Sequence, residues 1–77
     1  MNKLRRKQID EIQDKLAVLR EMIDEVLTDE QEALDNLPEG LQESERGEAM
    51  QQAIDALEDA LNNCDEIDSY LEDAKAL

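Results

Sequence analysis

The side chains in this chain that could do chemistry are almost all carboxylates. The 77 residues include 22 Asp and Glu, one Cys and no His. Pairs such as Glu45/Glu48 and Asp55/Glu58 have the helical spacing that metal-dependent helical-bundle enzymes use, but those enzymes point the pair into the bundle core. Here most pairs fall outside the apolar positions. The sequence therefore predicts a solvated acidic face and no metal site.

The sequence also lacks the residues that nucleophilic catalysis needs. Cys64, Ser44 and Ser69 have no base in reach, because a chain without histidine offers none of the usual partners. Cys64 falls on an apolar stripe, which predicts a buried small hydrophobe. As the only cysteine it cannot form an intrachain disulfide, which indicates a reducing compartment. No apolar run has the length of a signal or membrane segment. We predict a cytoplasmic, non-enzymatic protein without a cofactor.

Two apolar stripes predict two long helices. The first alternates steps of three and four over about four heptads, with Ile9, Leu16 and Ile23 at a and Ile12, Leu19 and Val26 at d. The second stripe contains Met50, Ile54, Leu57, Leu61, Cys64 and Leu71. A third row beside it, at seven-residue spacing, contains Ala53, Ala60, Ile67 and Ala74. Such a wide face is typical of a helix that contacts more than one neighbour.

The segment between the stripes predicts a turn. Pro38 ends the first helix, Gly40 would permit a tight reversal and Ser44 would cap the second helix. A capping box at Thr28–Gln31 offers an alternative helix start there, but no Gly or Pro precedes it. We therefore predict one all-α domain, 1–77, with a helix over about 3–36, a turn over 37–44 and a helix over about 45–75.

The two helices should pack as an antiparallel hairpin. Facing residues then have numbers that sum to about 80, which pairs a with d positions and places Ala33 opposite Gly47. Two helices cannot cover all the apolar surface, since further apolar residues lie beside the first stripe, namely Val18, Met22, Leu27 and Leu34. We predict that the hairpin forms a homodimer, a two-fold four-helix bundle.

The charge is very unevenly distributed. Residues 21–74 contain nineteen carboxylates and one cation, Arg46, whereas residues 1–7 contain four cations and no carboxylate. Hairpin closure would bring the cations of residues 3–7 near the acidic end of the second helix, namely Asp65, Glu66, Asp68, Glu72 and Asp73. The net charge of −14 disfavours direct binding to nucleic acid or to an anionic membrane.

The remaining acidic surface suggests a function. Carboxylates along rigid helices imitate a phosphate backbone, so the chain is predicted to occupy a basic, nucleic-acid-binding surface of a partner protein. The candidate residues are Glu21, Asp24, Glu25, Asp29, Glu30, Glu32, Asp35, Glu39, Glu43, Glu45 and Glu48. The alternative is a self-associating structural or adaptor protein whose acidity only serves solubility. Binding that collapses with added salt supports the first hypothesis, and binding indifferent to salt supports the second.

The segment Asn36–Met50, with its flanking acidic helices, resembles a group of small acidic helical proteins encoded by phages and mobile elements of Gram-positive bacteria. The group brings no established activity, so no functional residue carries over. The resemblance implies a setting in the cytoplasm of a bacterial host cell. It also implies that the partner is a nucleic-acid-handling host defence protein, such as a CRISPR effector or a restriction enzyme.

Overall fold

A computed structural model of the chain, describing residues 1–77, contains three helices and no strand. They are α1 (Lys3–Asp35), α2 (Glu39–Gln42) and α3 (Glu45–Ala76). The long helices α1 and α3 pack against each other as an antiparallel hairpin, which confirms the predicted all-α hairpin. α1 runs without a break through Thr28. The single-turn helix α2, inside the turn, was not anticipated from the sequence.

The helix ends follow local chemistry. Asn2 caps α1, where its Oδ1 accepts a 2.9 Å hydrogen bond from the backbone N–H of Arg5. Pro38 comes three residues after the last residue of α1 and has no N–H to donate. Ser44 occupies the N-cap position of α3 with an extended backbone, but its hydroxyl donates to the carbonyl of Leu41. Ser44 therefore ties α3 to α2 and does not cap α3 with its side chain.

The turn does not depend on glycine flexibility. Neither glycine has a positive φ, and Gly40 lies within α2, so the predicted role for Gly40 in a tight reversal is wrong. Gly47 is buried because α2 packs on the first turn of α3. A Cβ at Gly47 would overlap the backbone carbonyl of Gln42 and lie 2.8 Å from that of Leu41. The close approach beside the turn is thus made by α2, not by Ala33.

The core is a thin seam between α1 and α3. Its buried side chains are Ile9 and Leu27 from α1 and Ile54 and Cys64 from α3. Half-buried apolar side chains extend the seam, and they include Leu16, Ile23, Leu34, Met50, Leu57, Leu61 and Leu71. Only five of 77 residues are buried, and no side chain is fully buried. The radius of gyration is 17.5 Å, against about 11.5 Å for a compact domain of this length.

The seam is rotated from the predicted heptad positions. Ile12, Leu19 and Val26, assigned to d, are 48%, 50% and 54% exposed, and Leu27 and Leu34 pack in their place. On the second arm, Ile67 is 48% exposed. The apolar stripe on α1 consists of about three rows of residues along the helix, and a single neighbouring helix covers only about two of these rows. Rotation toward Leu27 also lets polar side chains on that side of α1 bond to α3.

Candidate functional site

The electrostatic contacts between the long helices lie on one side of the seam. Arg20 Nε donates to Asp65 Oδ1 at 2.8 Å, and Arg20 Nη2 lies 3.4 Å from Asp65 Oδ2. These hydrogen bonds lower the pKa of Asp65 and raise the pKa of Arg20. Both side chains are about half exposed, so the pair orients the helices more than it stabilises them.

A second polar cluster lies nearer the chain termini. Lys75 Nζ contacts Asp10 Oδ1 at 2.8 Å and Glu72 Oε2 at 3.2 Å. Gln13 Nε2 donates to Glu72 at 3.0 Å and to Asp68 at 3.1 Å. The hydrogen bond from Gln13, followed by that from Lys75, lowers the pKa of Glu72, and the hydrogen bond to Asp10 raises the pKa of Lys75. Gln13 was missed from the sequence, although it lies four residues after Ile9 on the face that packs against α3.

The basic cluster at residues 3–7 is not neutralised within the hairpin. Lys3, Arg5 and Lys7 form no ion pair, and Arg6 Nε donates instead to the backbone carbonyl of Lys75 at 3.0 Å. Hairpin closure brings Arg6 to the acidic end of α3, but none of these four cations forms an ion pair with a carboxylate there. The cause is geometric for Lys3 and Lys7, because successive helical residues point about 100° apart and these two lie on the side of α1 away from α3.

The eleven candidate partner-binding carboxylates lie around the turn end of the hairpin. Ten of them are exposed, and only Glu30 is half-buried, at an a position of the seam. None of the eleven forms an ion pair or accepts a side-chain hydrogen bond. Arg46, the one cation in this part of the chain, is also outside every ion pair. No cation of the same chain is therefore paired with any of these eleven carboxylates.

The net charge per unit length of the paired segments 21–35 and 45–59 is close to that of a nucleic acid. Residues 21–35 of α1 contain seven carboxylates, and the opposing residues 45–59 of α3 contain five carboxylates and Arg46. The net eleven negative charges are spread over an axial length of about 21 Å. This corresponds to one charge per about 1.9 Å, whereas double-stranded DNA carries one per about 1.7 Å.

The two halves of the hairpin differ sharply in net charge. The turn half, residues 21–59, has fourteen carboxylates and one cation, a net charge of −13. The terminal half, residues 1–20 and 60–77, has eight carboxylates and seven cations, a net charge of −1. The two values account for the total of −14, so nearly all the excess charge is at one end of a hairpin that is 58 Å long.

No group of three Asp, Glu or Cys side chains converges closely enough to hold a metal ion. Cys64 is buried and lies in the wall of a surface groove with Leu16, Arg20 and Asp65, where the nearby carboxylate is bonded to Arg20. No helix combines the length and apolarity needed to span a bilayer.

The three comparisons with known proteins each returned nothing: no protein family matches the sequence, no curated protein is significantly similar to it, and no solved structure resembles the hairpin significantly.

Proposed function

We propose that this chain is a non-enzymatic acidic protein that occupies the basic surface of a partner protein, at a site where the partner ordinarily binds nucleic acid. The observation that carries the proposal is the uncompensated charge of the turn half. A net charge per unit length close to that of duplex DNA lies on a helical scaffold, and none of its eleven candidate carboxylates is engaged by a cation of the same chain.

The physical basis of such binding is electrostatic. The carboxylates have no internal ion pair to break, so each is free to pair with a Lys or Arg of the partner. Long helices fix the spacing of the charges before binding, which lowers the entropy lost on association. Complementary charge also accelerates the encounter, and both rate and affinity fall with added salt.

The biological setting is proposed from the resemblance at Asn36–Met50. Small acidic phage and mobile-element proteins of that kind would act in the bacterial cytoplasm as inhibitors of host defence machinery. A restriction enzyme or a CRISPR effector presents the kind of basic, nucleic-acid-binding groove that the acidic surface fits. The resemblance suggests this class of partner, and the acidic surface is compatible with it.

The proposal is tested with a charge-neutralised variant, Glu25→Gln/Asp29→Asn/Glu32→Gln. These exposed side chains form no ion pair or side-chain hydrogen bond, so the hairpin should keep its helical circular dichroism. The immobilised wild-type protein should capture nucleic-acid-binding proteins from a nuclease-treated host lysate, identified by mass spectrometry. Short duplex DNA or moderate salt should release them, and the variant should capture them poorly.

The matched control is Glu11→Gln/Asp14→Asn/Glu66→Gln, which changes the net charge equally but in the terminal half. It should capture the same proteins as the wild type. Equal loss in both triple variants would mean that total acidity, and not the turn half, causes retention. Failure of duplex DNA to compete would contradict the proposed site on the partner.

A second proposed property is self-association into a four-helix bundle, with a structural or adaptor role as the alternative function. The observation that favours it is the apolar surface left outside the seam, where Ile12, Leu19, Val26 and Ile67 are about half exposed. Burial of such side chains is worth roughly 1.5–3 kcal/mol each when complete. A two-fold dimer is the simplest closed arrangement that would cover them.

A further inference from the structure

One side of the hairpin presents a continuous apolar surface, here called the apolar face. The contacts of Gln13 and Arg20 with α3 occupy the opposite side of the seam. Helical geometry therefore places the d row of α1 and the row that contains Ala60 in α3 together on the free side. The apolar face consists of Ile12, Leu19 and Val26 from α1 and Ala53, Ala60 and Ile67 from α3.

The hairpin exposes more surface than a compact monomer of its mass does. The accessible surface of the chain is 5896 Å², whereas a compact monomer of 8.8 kDa exposes about 4800 Å². The excess of about 1100 Å², distributed over the whole elongated hairpin, is of the same order as the roughly 800 Å² that each partner contributes to a standard protein–protein interface. The small side chains of Ala53 and Ala60 would also let another helix approach closely.

Resting on the proposed self-association, we propose that the apolar face binds a second copy of this chain in a turn-to-terminus orientation. Two arrangements with two-fold symmetry bring the apolar faces of the two copies together so that each helix lies antiparallel to the helix that faces it. One places both turn halves together, −13 against −13, and the other places each turn half against a terminal half, −13 against −1. Weaker charge repulsion favours the second, since it keeps the two halves of charge −13 apart and like charges in contact oppose association.

The positions of the apolar side chains fit this orientation. Facing residues of α1 and its copy then have numbers that sum to 38, which pairs Leu19 with itself and Ile12 with Val26. Facing residues of α3 sum to 120, which pairs Ala60 with itself and Ala53 with Ile67. Within one hairpin, the numbers of facing residues of α1 and α3 sum to about 80. Leu19 and Ala60 therefore lie at the same level along the hairpin. A single two-fold axis at that level therefore satisfies both helices.

The same register accounts for two charges that the monomer leaves unpaired. Arg5 continues the row of Ile12, Leu19 and Val26 toward the N-terminus and forms no ion pair. Glu30 is half-buried beside the other end of that row, also without a cation. In the proposed dimer, residue 30 lies level with residue 8 of the copy, one helical turn from Arg5. Arg5 of each copy would then pair with Glu30 of the other.

This arrangement leaves the acidic surface free. Of the eleven candidate carboxylates only Asp29 and Glu30 flank the apolar face, beside Val26, so the other nine remain available to a partner. The two turn halves are at opposite ends of the dimer. The dimer would thus present two separate acidic surfaces, each able to bind one copy of the basic partner.

The orientation is tested by pulsed electron paramagnetic resonance on spin-labelled protein. Cys64→Ala removes the native thiol, and Glu43→Cys then places one label at the exposed turn of each copy. With the axis at Leu19, the two labels should be about 55 Å apart. The turns-together dimer would place them under about 25 Å apart, since helix axes in a bundle lie about 10 Å apart. A short distance would overturn the orientation, while a monomer by sedimentation equilibrium would overturn the dimer itself.

A charge exchange tests the contact between copies independently of the spin label. Arg5→Glu should weaken the dimer about tenfold, and adding Glu30→Arg should restore it. Arg5→Glu/Glu32→Arg is the matched control, because it has the same net charge but places the new cation away from the apolar face. Rescue by Glu30→Arg alone supports the proposal. Equal rescue by both would refute the contact, and neither result depends on binding of the basic partner.

Discussion

Gly47→Ala should destabilise the protein, although alanine is the better helix former. Gly47 lies in the first turn of α3, and the atoms nearest to a Cβ there are the backbone of Gln42 and the carbonyl of Leu41. Backbone atoms cannot rotate away as a flexible side chain can. The methyl group must therefore push α2 off α3, which also weakens the hydrogen bond from Ser44 to Leu41.

The size of the effect follows from two opposing terms. Replacing glycine with alanine inside a helix gains about 1 kcal/mol. Forcing a methyl group into a packed contact costs about 1–3 kcal/mol, and an overlap with backbone belongs at the upper end. The net loss is about 2 kcal/mol, which lowers the melting temperature by about 10 °C in a chain of this size.

Gly40→Ala is the matched control for this substitution. Gly40 is also helical, but a Cβ there meets nothing within 4 Å. It should raise stability by about 0.4–1 kcal/mol, because alanine restricts the unfolded chain. Thermal unfolding followed by circular dichroism, at one fixed protein concentration, measures both variants. A Gly47→Ala melting temperature equal to or above that of Gly40→Ala would refute the steric argument.

Two further substitutions test the helix end and the ion pair. Asn2→Ala removes the side-chain acceptor for the Arg5 N–H and should cost about 1 kcal/mol, measured by urea unfolding; an unchanged midpoint would contradict the cap. Asp65→Asn removes the carboxylate bonded to Arg20 and should lower the melting temperature at pH 7. Because the pKa of Asp65 is depressed below its ordinary value of 3.8, its contribution persists above pH 3.8 and is lost as pH falls through the lower folded-state value. The difference between wild type and variant should therefore persist at pH 5 and diminish as the pH falls below 3.8, and a constant difference would contradict this assignment.

Much of the architecture was predictable because it depends on local information. Steps of three and four between apolar residues predict long helices without any tertiary contact, and Pro38 marks the end of the first one. The uneven charge is also a property of the sequence alone. These features predicted the hairpin, the approximate helix ends and the acidic character of residues 21–48.

The residues of the seam, the conformation of the turn and the pairing of charges could be identified only from the tertiary structure. An apolar stripe made of three rows of residues does not specify which two rows a single partner helix covers. The sequence analysis therefore assigned Leu19 and Val26 to the contact between the helices and placed Leu27 beside it. Gly47 could be seen as unusual, but only the packing of α2 on α3 explains why a methyl group does not fit there.

Two amphipathic helices, their reversal and a strong excess of carboxylates could be predicted from the residues alone, because periodicity and composition act locally along the chain. The rotation of the helices about their axes is visible only in the folded hairpin. That rotation depends on contacts between residues far apart in sequence, such as Arg20 with Asp65 and Gln13 with Glu72. It leaves Ile12, Leu19 and Val26 outside the seam and the basic N-terminus without an acidic partner in its own chain.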